Sequence, residues 1–195
     1  NDSDLFQFGS ISRMSAGNSA TGGASRENAR PYFSRKIGLA GNGTPADIEY
    51  GGRVSGRVGR FNIGTLAVRQ GATDDVAADD MLVTRISANV LSDSRVGFIY
   101  TDGDPTSNVD NSVIGVDFNY VDSNIREGRQ LQSNVFFQQS DTPGLEGDDA
   151  SYGFGVALPA SDGLRSRVGY KVVEENFNPA MGFINRSNIE DYTAD

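Results

Sequence analysis

From Gly51 onward, apolar and polar residues alternate with the two-residue period of a β-strand. The stretch Gly51–Gln70 sets the pattern. Arg53, Ser55 and Arg57 share one parity, and Val54, Gly56 and Val58 share the other. After a turn at Gly59–Asn62, Leu66 and Val68 alternate with Thr65, Ala67 and Arg69. The expectation is a hairpin with Arg53, Arg57 and Arg69 on a basic face and Val54, Val58, Leu66 and Val68 on an apolar one. The alternation repeats downstream: Leu82, Ile86 and Val90 oppose Val83, Arg85 and Ser87, and Val96, Phe98 and Tyr100 oppose Arg95 and Gly97. Ile114, Val116 and Phe118 oppose Gly115, Asp117 and Asn119, and Tyr152, Phe154 and Val156 oppose Gly153 and Gly155. Leu131, Val135 and Phe137 oppose Gln132, Asn134 and Gln138, with Phe136 breaking the rule. Eight strands are predicted, over 51–59, 62–70, 81–91, 95–102, 111–121, 129–139, 151–158 and 164–174.

The connections sort into two kinds. Those near 60, 92–94, 122–128 and 159–163 are short or fairly short, whereas those at 71–80, 103–110 and 140–150 are longer and acidic. Short turns on one side and long loops on the other are the layout of a transmembrane β-barrel of the bacterial outer membrane. Strands of about 9–11 residues cross a bilayer when tilted. A soluble antiparallel sandwich also alternates, with its apolar face inward. Against it stands the polar face, made of Arg, Gln, Asn, Ser and Gly, with the acids crowded into loops. The fold expected is all-β: an antiparallel meander of about eight or more strands, forming part of an outer-membrane barrel.

Composition narrows the chemistry. The 195 residues carry a net charge of −9, which argues against a nucleic-acid partner. With no cysteine and no histidine, there is no thiolate or imidazole nucleophile, base or metal ligand. A mean hydropathy of −0.40 is compatible with a barrel, whose apolar and polar faces average out. The 24 glycines against 6 prolines favour β-structure rich in turns. Residues 1–50 read as an irregular segment, a loop or a plug, with sticky clusters at Leu5-Phe6-Gln7-Phe8 and at Pro31–Leu39. Residues 51–175 hold the strands, and 176–195 read as a loop and the start of further barrel.

Three stretches carry a resemblance. They are Asp4-Leu5-Phe6-Gln7-Phe8-Gly9; Pro31-Tyr32-Phe33-Ser34-Arg35-Lys36-Ile37-Gly38-Leu39 with the following Gly51–Gly64 stretch; and Phe177-Asn178-Pro179-Ala180-Met181-Gly182-Phe183-Ile184-Asn185-Arg186. In order and spacing the chain resembles a family of uncharacterised bacterial outer-membrane barrels. In that family the barrel follows a domain similar to family-nine carbohydrate-binding modules. The resemblance implies that this chain is a fragment of a several-fold longer protein. It also implies an oligosaccharide as one ligand class and brings no catalytic residues to map.

The expected lumen is basic: Arg53, Arg57, Arg69, Arg85, Arg95, Arg129, Arg165, Arg167 and Lys171 fall on the polar parity. Three readings follow. The lumen selects anionic solutes; or the arginines form a structural ladder with Asp117 or acidic plug segments; or residues 1–50 fill the lumen. Asp102, Asp104, Asn108 and Asp110 place oxygens at alternate positions, as calcium loops do, but Pro105 and the missing closing glutamate depart from the EF-hand pattern. A solvated loop is the competing reading. No paired carboxylates suited to glycoside hydrolysis stand out, so no enzyme and no cofactor is expected. The function expected is passage or binding of a sugar-derived or anionic solute at the bacterial outer membrane. The partners expected are outer-membrane lipid, oligosaccharide, and other outer-membrane or periplasmic proteins. The alternatives are a soluble or cell-surface carbohydrate-binding sandwich and a structural barrel that anchors a partner.

Overall fold

The computed structural model describes residues 5–9, 29–126, 129–159 and 166–194. It is an all-β, nine-stranded antiparallel sheet in strictly sequential order. The strands are β1 (Ile48–Val58), β2 (Phe61–Gln70), β3 (Asp79–Val90), β4 (Ser94–Asp102), β5 (Ser112–Arg126), β6 (Arg129–Asp141), β7 (Ala150–Leu158), β8 (Ser166–Val173) and β9 (Ile189–Ala194). The predicted meander therefore holds, and β9 extends it within 176–195, the stretch read as a loop and the start of further barrel. Each antiparallel neighbour follows the last because a short connection between such strands needs no crossover. Among the described residues no ladder joins β1 to β9, so the sheet is open.

Residues directly opposite across a ladder share a face, so the register defines rungs that cross the sheet. One rung runs Ser55, Gly64, Arg85, Ile99, Gly115, Gln138, Ser151, Val173, Ile189. From Gly64 to Val173 every member is buried. The neighbouring rung on the opposite face runs Gly56, Ile63, Ile86, Phe98, Val116, Phe137, Tyr152, Val172, Glu190. The next rung on that same face carries Val58, Phe61, Ala88, Val96, Phe118, Val135, Phe154, Tyr170 and Tyr192. This apolar face is open: Val116 is 50% exposed and Phe154 49%. The polar, glycine-rich face is the covered one, which inverts the arrangement of a soluble sheet.

The cover is the chain itself. Leu5–Gly9, the stretch from Ala29 to Ala46, and the loop from Phe177 to Ile184 lie on the polar face. Phe6 packs with Met81, Val83 and Met181, and Leu5, Tyr32, Ile37 and Leu66 surround that cluster. Ala29 joins Val113, Val173 and Phe177 in a second one. The two covering segments are tied by backbone hydrogen bonds between Arg30 and Phe183 in both directions, each 2.9 Å, and from Phe33 N–H to the Met181 carbonyl. Gly182 makes this approach feasible, because a Cβ there would collide with the Arg30 carbonyl.

Three side-chain placements differ from the expected hairpin. Leu66 pairs with Arg53 and Val83, so Leu66, and with it Val68, lies on the covered face. Arg69 pairs with Tyr50 and Asp80 on the open face. The cause is the turn. Val58 pairs directly with Phe61 across Gly59 and Arg60, with Gly59 at φ 59°, so two residues form the connection. Loop length fixes register, and a one-residue slip flips every side chain.

Candidate functional site

The centre of the covered face is polar and held by three adjacent strands. β3 presents Arg85, β4 presents Gly97, and β5 presents Asp117 and Asn119. The Arg85 side chain is 2% exposed and its Nη2 lies 2.7 Å from Asp117 Oδ1. The pair sits directly over Gly97, where any Cβ would clash with the guanidinium and with Asp117 Oδ1. Attraction between the opposite charges holds this close contact. Asp117 Oδ2 accepts from Asn119 Nδ2 at 3.1 Å and from the Gly9 N–H at 3.2 Å.

The strap Leu5–Gly9 crosses this centre. Asn134 Nδ2 donates to the Gly9 carbonyl at 2.8 Å, so both backbone groups of Gly9 are held by sheet side chains. Gly9 adopts φ 60°, a conformation that favours glycine. Phe8 lies edge-on to Phe136 at 6.0 Å between centroids, and the Arg85 guanidinium lies 5.5 Å from the Phe8 ring centre. Phe136, the residue that broke the alternation of its strand, therefore faces inward to meet the strap. Further along, Gln138 Nε2 donates to the Ala29 carbonyl at 2.7 Å. The glycines make the room: a Cβ at Gly64 would lie 2.5 Å from Leu5 Cδ2, and one at Gly115 would lie 2.7 Å from Phe8 Cζ. Gly115→Val is accordingly expected to lift the strap, at about 1–3 kcal/mol, the range for overpacking. Chymotrypsin cleavage at Phe6 and Phe8 should accelerate while the circular dichroism of the sheet is retained.

The nine basic residues expected on one face separate into groups. Arg85, Arg95, Arg167 and Lys171 lie on the covered face, with Arg95 and Arg167 half-buried. Arg53 and Arg57 share its parity but stand exposed on the edge strand β1. Arg69 is the correction: it lies on the open face, 3.3 Å from Glu49 and 2.7 Å from Asp80. Exposed pairs of this kind contribute little, so Arg69→Ala should leave the thermal midpoint unchanged. The main chain of Arg129 opens β6, but its side chain, and all of Arg165, lie outside the described residues.

The calcium candidates do not converge. Asp104 is buried, and its carboxylate accepts from Thr106 N–H and Oγ1 (2.8 and 2.7 Å) and from Ser107 Oγ (2.6 Å). Asn108 Oδ1 accepts from the Ala77 N–H and its Nδ2 donates to the Asp75 carbonyl. Asp102 accepts from the Tyr100 hydroxyl, and Asp102 and Asp110 are exposed. These oxygens shape and join loops. Among the described residues no group of three or more carboxylates gathers into a metal-sized cluster.

Sequence reading offered Asp117 as a partner for the arginines but gave Asn134 and Gln138, on the same parity, no task. Nor did it connect Phe8 and Gly9 to them. One signal was available: Gly97, Gly115 and Gly153 recur on the polar parity of successive strands, and glycine inside a strand marks close approach of another group. No family model, no curated protein and no solved structure matches the chain.

Proposed function

We propose that this chain is part of a β-barrel of the bacterial outer membrane that binds or passes a sugar-derived or anionic solute on its covered face. One observation carries the membrane assignment: two adjacent rungs rich in aliphatic and aromatic side chains, most of them exposed or half-exposed, cross the sheet, while arginine, asparagine and glutamine lie on the face covered by the chain. An apolar face this wide demands a covering, and a lipid bilayer supplies it to the outside of a barrel whose lumen is polar. No second sheet covers it among the described residues. In a carbohydrate-binding sandwich, the competing class, that face would pack inward.

The test is extraction and gel mobility. The chain should require detergent and should migrate faster unboiled than boiled. A stable monomer without detergent overturns the membrane assignment. A second reading, a structural barrel that anchors a partner, is favoured by the filling of the covered face by Leu5–Gly9 and the Arg85–Asp117 pair. Single-channel recording separates it from a pore: passage predicts conductance, raised by deletion of the strap, and an anchoring barrel predicts none in either form.

A further inference from the structure

We propose that a small oxyanion, a carboxylate or phosphate group, docks on the covered face against Arg95 and Arg85, on the turn side of the strap. The inference deepens the solute-binding reading above and rests on it for access to this face.

Arg95 is half-buried and, among the described residues, has neither hydrogen bond nor ion pair; its Nε is enclosed without a partner. Arg85 Nη1 is in the same condition, although Nη2 of that guanidinium meets Asp117. Asn119, directly across the β4–β5 ladder from Arg95, turns its amide to Asp117 and not to Arg95. Gly97, two residues beyond Arg95 on β4, lies beneath the Arg85 guanidinium and Asp117. The two arginines are close enough for their charges to repel.

The charge count is uneven. Asp117 pairs with Arg85 alone and also holds Gly9 and Asn119, and among the described residues no carboxylate pairs with Arg95. Asp93, in the turn before β4, accepts from the Ser123 hydroxyl, and two further acids lie along the face. Asp79 accepts from the Asp80 and Asp104 N–H groups, and Asp191 lies opposite Lys171. A buried cation without a counter-charge is unfavourable, and enclosed N–H donors without acceptors carry a desolvation penalty. A water molecule could accept from one donor but would leave the charge uncompensated. An oxyanion does both, because its two or more oxygens match the donors of guanidinium groups. Arg95 is the point of entry, being the half-buried one of the two arginines and the one next to the β3–β4 turn.

The experiment is isothermal titration of the full chain, folded in detergent, with inorganic phosphate, glucuronate and glucose in separate arms. Saturable binding of phosphate or glucuronate, and none of glucose, is expected; which anion binds more tightly names the source of the oxyanion. Arg95→Gln should weaken it by about tenfold or more, the loss of one charge-assisted hydrogen bond. Arg95→Lys should lose less, and Arg57→Gln, on the same face at the sheet edge, should change nothing. The proposal is overturned if neither anion binds saturably, if Arg95→Gln binds as the wild type does, or if glucose matches glucuronate. The wild-type arms decide even if Arg95→Gln does not fold. Detergent dependence is read separately, so a failure of the membrane assignment is distinguishable from a failure of the anion site.

Discussion

Asp117→Ala should destabilise the folded chain by about 3–5 kcal/mol, the range for removing one partner of a buried ion pair. The midpoint of thermal unfolding, followed by circular dichroism in detergent, should fall by on the order of 10 °C. The size follows from what remains. Arg85 is 2% exposed, and Asp117 is the one carboxylate paired with it among the described residues. The Phe8 ring and Gly97 beside it supply no counter-charge, so the guanidinium would stay charged and enclosed. The same change releases the Gly9 N–H and the Asn119 amide, each worth about 1 kcal/mol as a hydrogen bond. A second variant separates charge from packing. Replacing both partners, Arg85→Met with Asp117→Leu, removes the orphaned cation and should recover most of the loss, since buried pairs are often exchangeable for apolar groups of similar volume. If Asp117→Ala melts with the wild type, the pair does not hold this face together.

Val116→Arg should disable folding into lipid. Val116 sits in the middle of β5, on the open face, between Phe98 and Phe137 in the rung. If lipid covers this face, an arginine near the bilayer midplane costs about 2–4 kcal/mol. If water covers it, a substitution at a half-exposed site stays within about 0.5 kcal/mol. The two outcomes are far enough apart for one urea titration in liposomes to choose between them. Val109→Arg is the control: Val109 is 43% exposed in the loop between β4 and β5, where either environment accepts a charge. Equal midpoints for Val116→Arg and Val109→Arg would refute the lipid-facing assignment of the open face.

Most strands were readable because alternation is a local property. Leu82 to Val90 and Ile114 to Tyr120 show their two faces without reference to any neighbour. The hairpin from β1 to β2 was harder. In β2 Ile63 and Ala67 lie on the open face while Leu66 and Val68 lie on the covered one, so both parities are partly apolar. Such a strand does not announce its face; the two-residue turn at Gly59–Arg60 does. Strand β9 was expected only as the start of further barrel, without bounds: Ile189–Ala194 is six residues, with Glu190 and Asp191 side by side, too short and too acidic to show alternation.

Sequence alone determined the class of fold, the division between short turns and long acidic loops, and the parity that gathers Arg85, Arg95, Asp117 and Asn134 on one face. These depend on neighbours one or two positions away, which a linear chain displays. Only the tertiary structure decided what covers that face. Gly9 meets Asp117 across 108 positions and Asn134 across 125, and Ala29 meets Gln138 across 109. Contacts of that range depend on the register of every intervening ladder, because each sets which rung the next strand offers. The glycines at 64, 97 and 115 record the outcome as empty space, and only the folded chain shows that Leu5, Arg85 and Phe8 fill it.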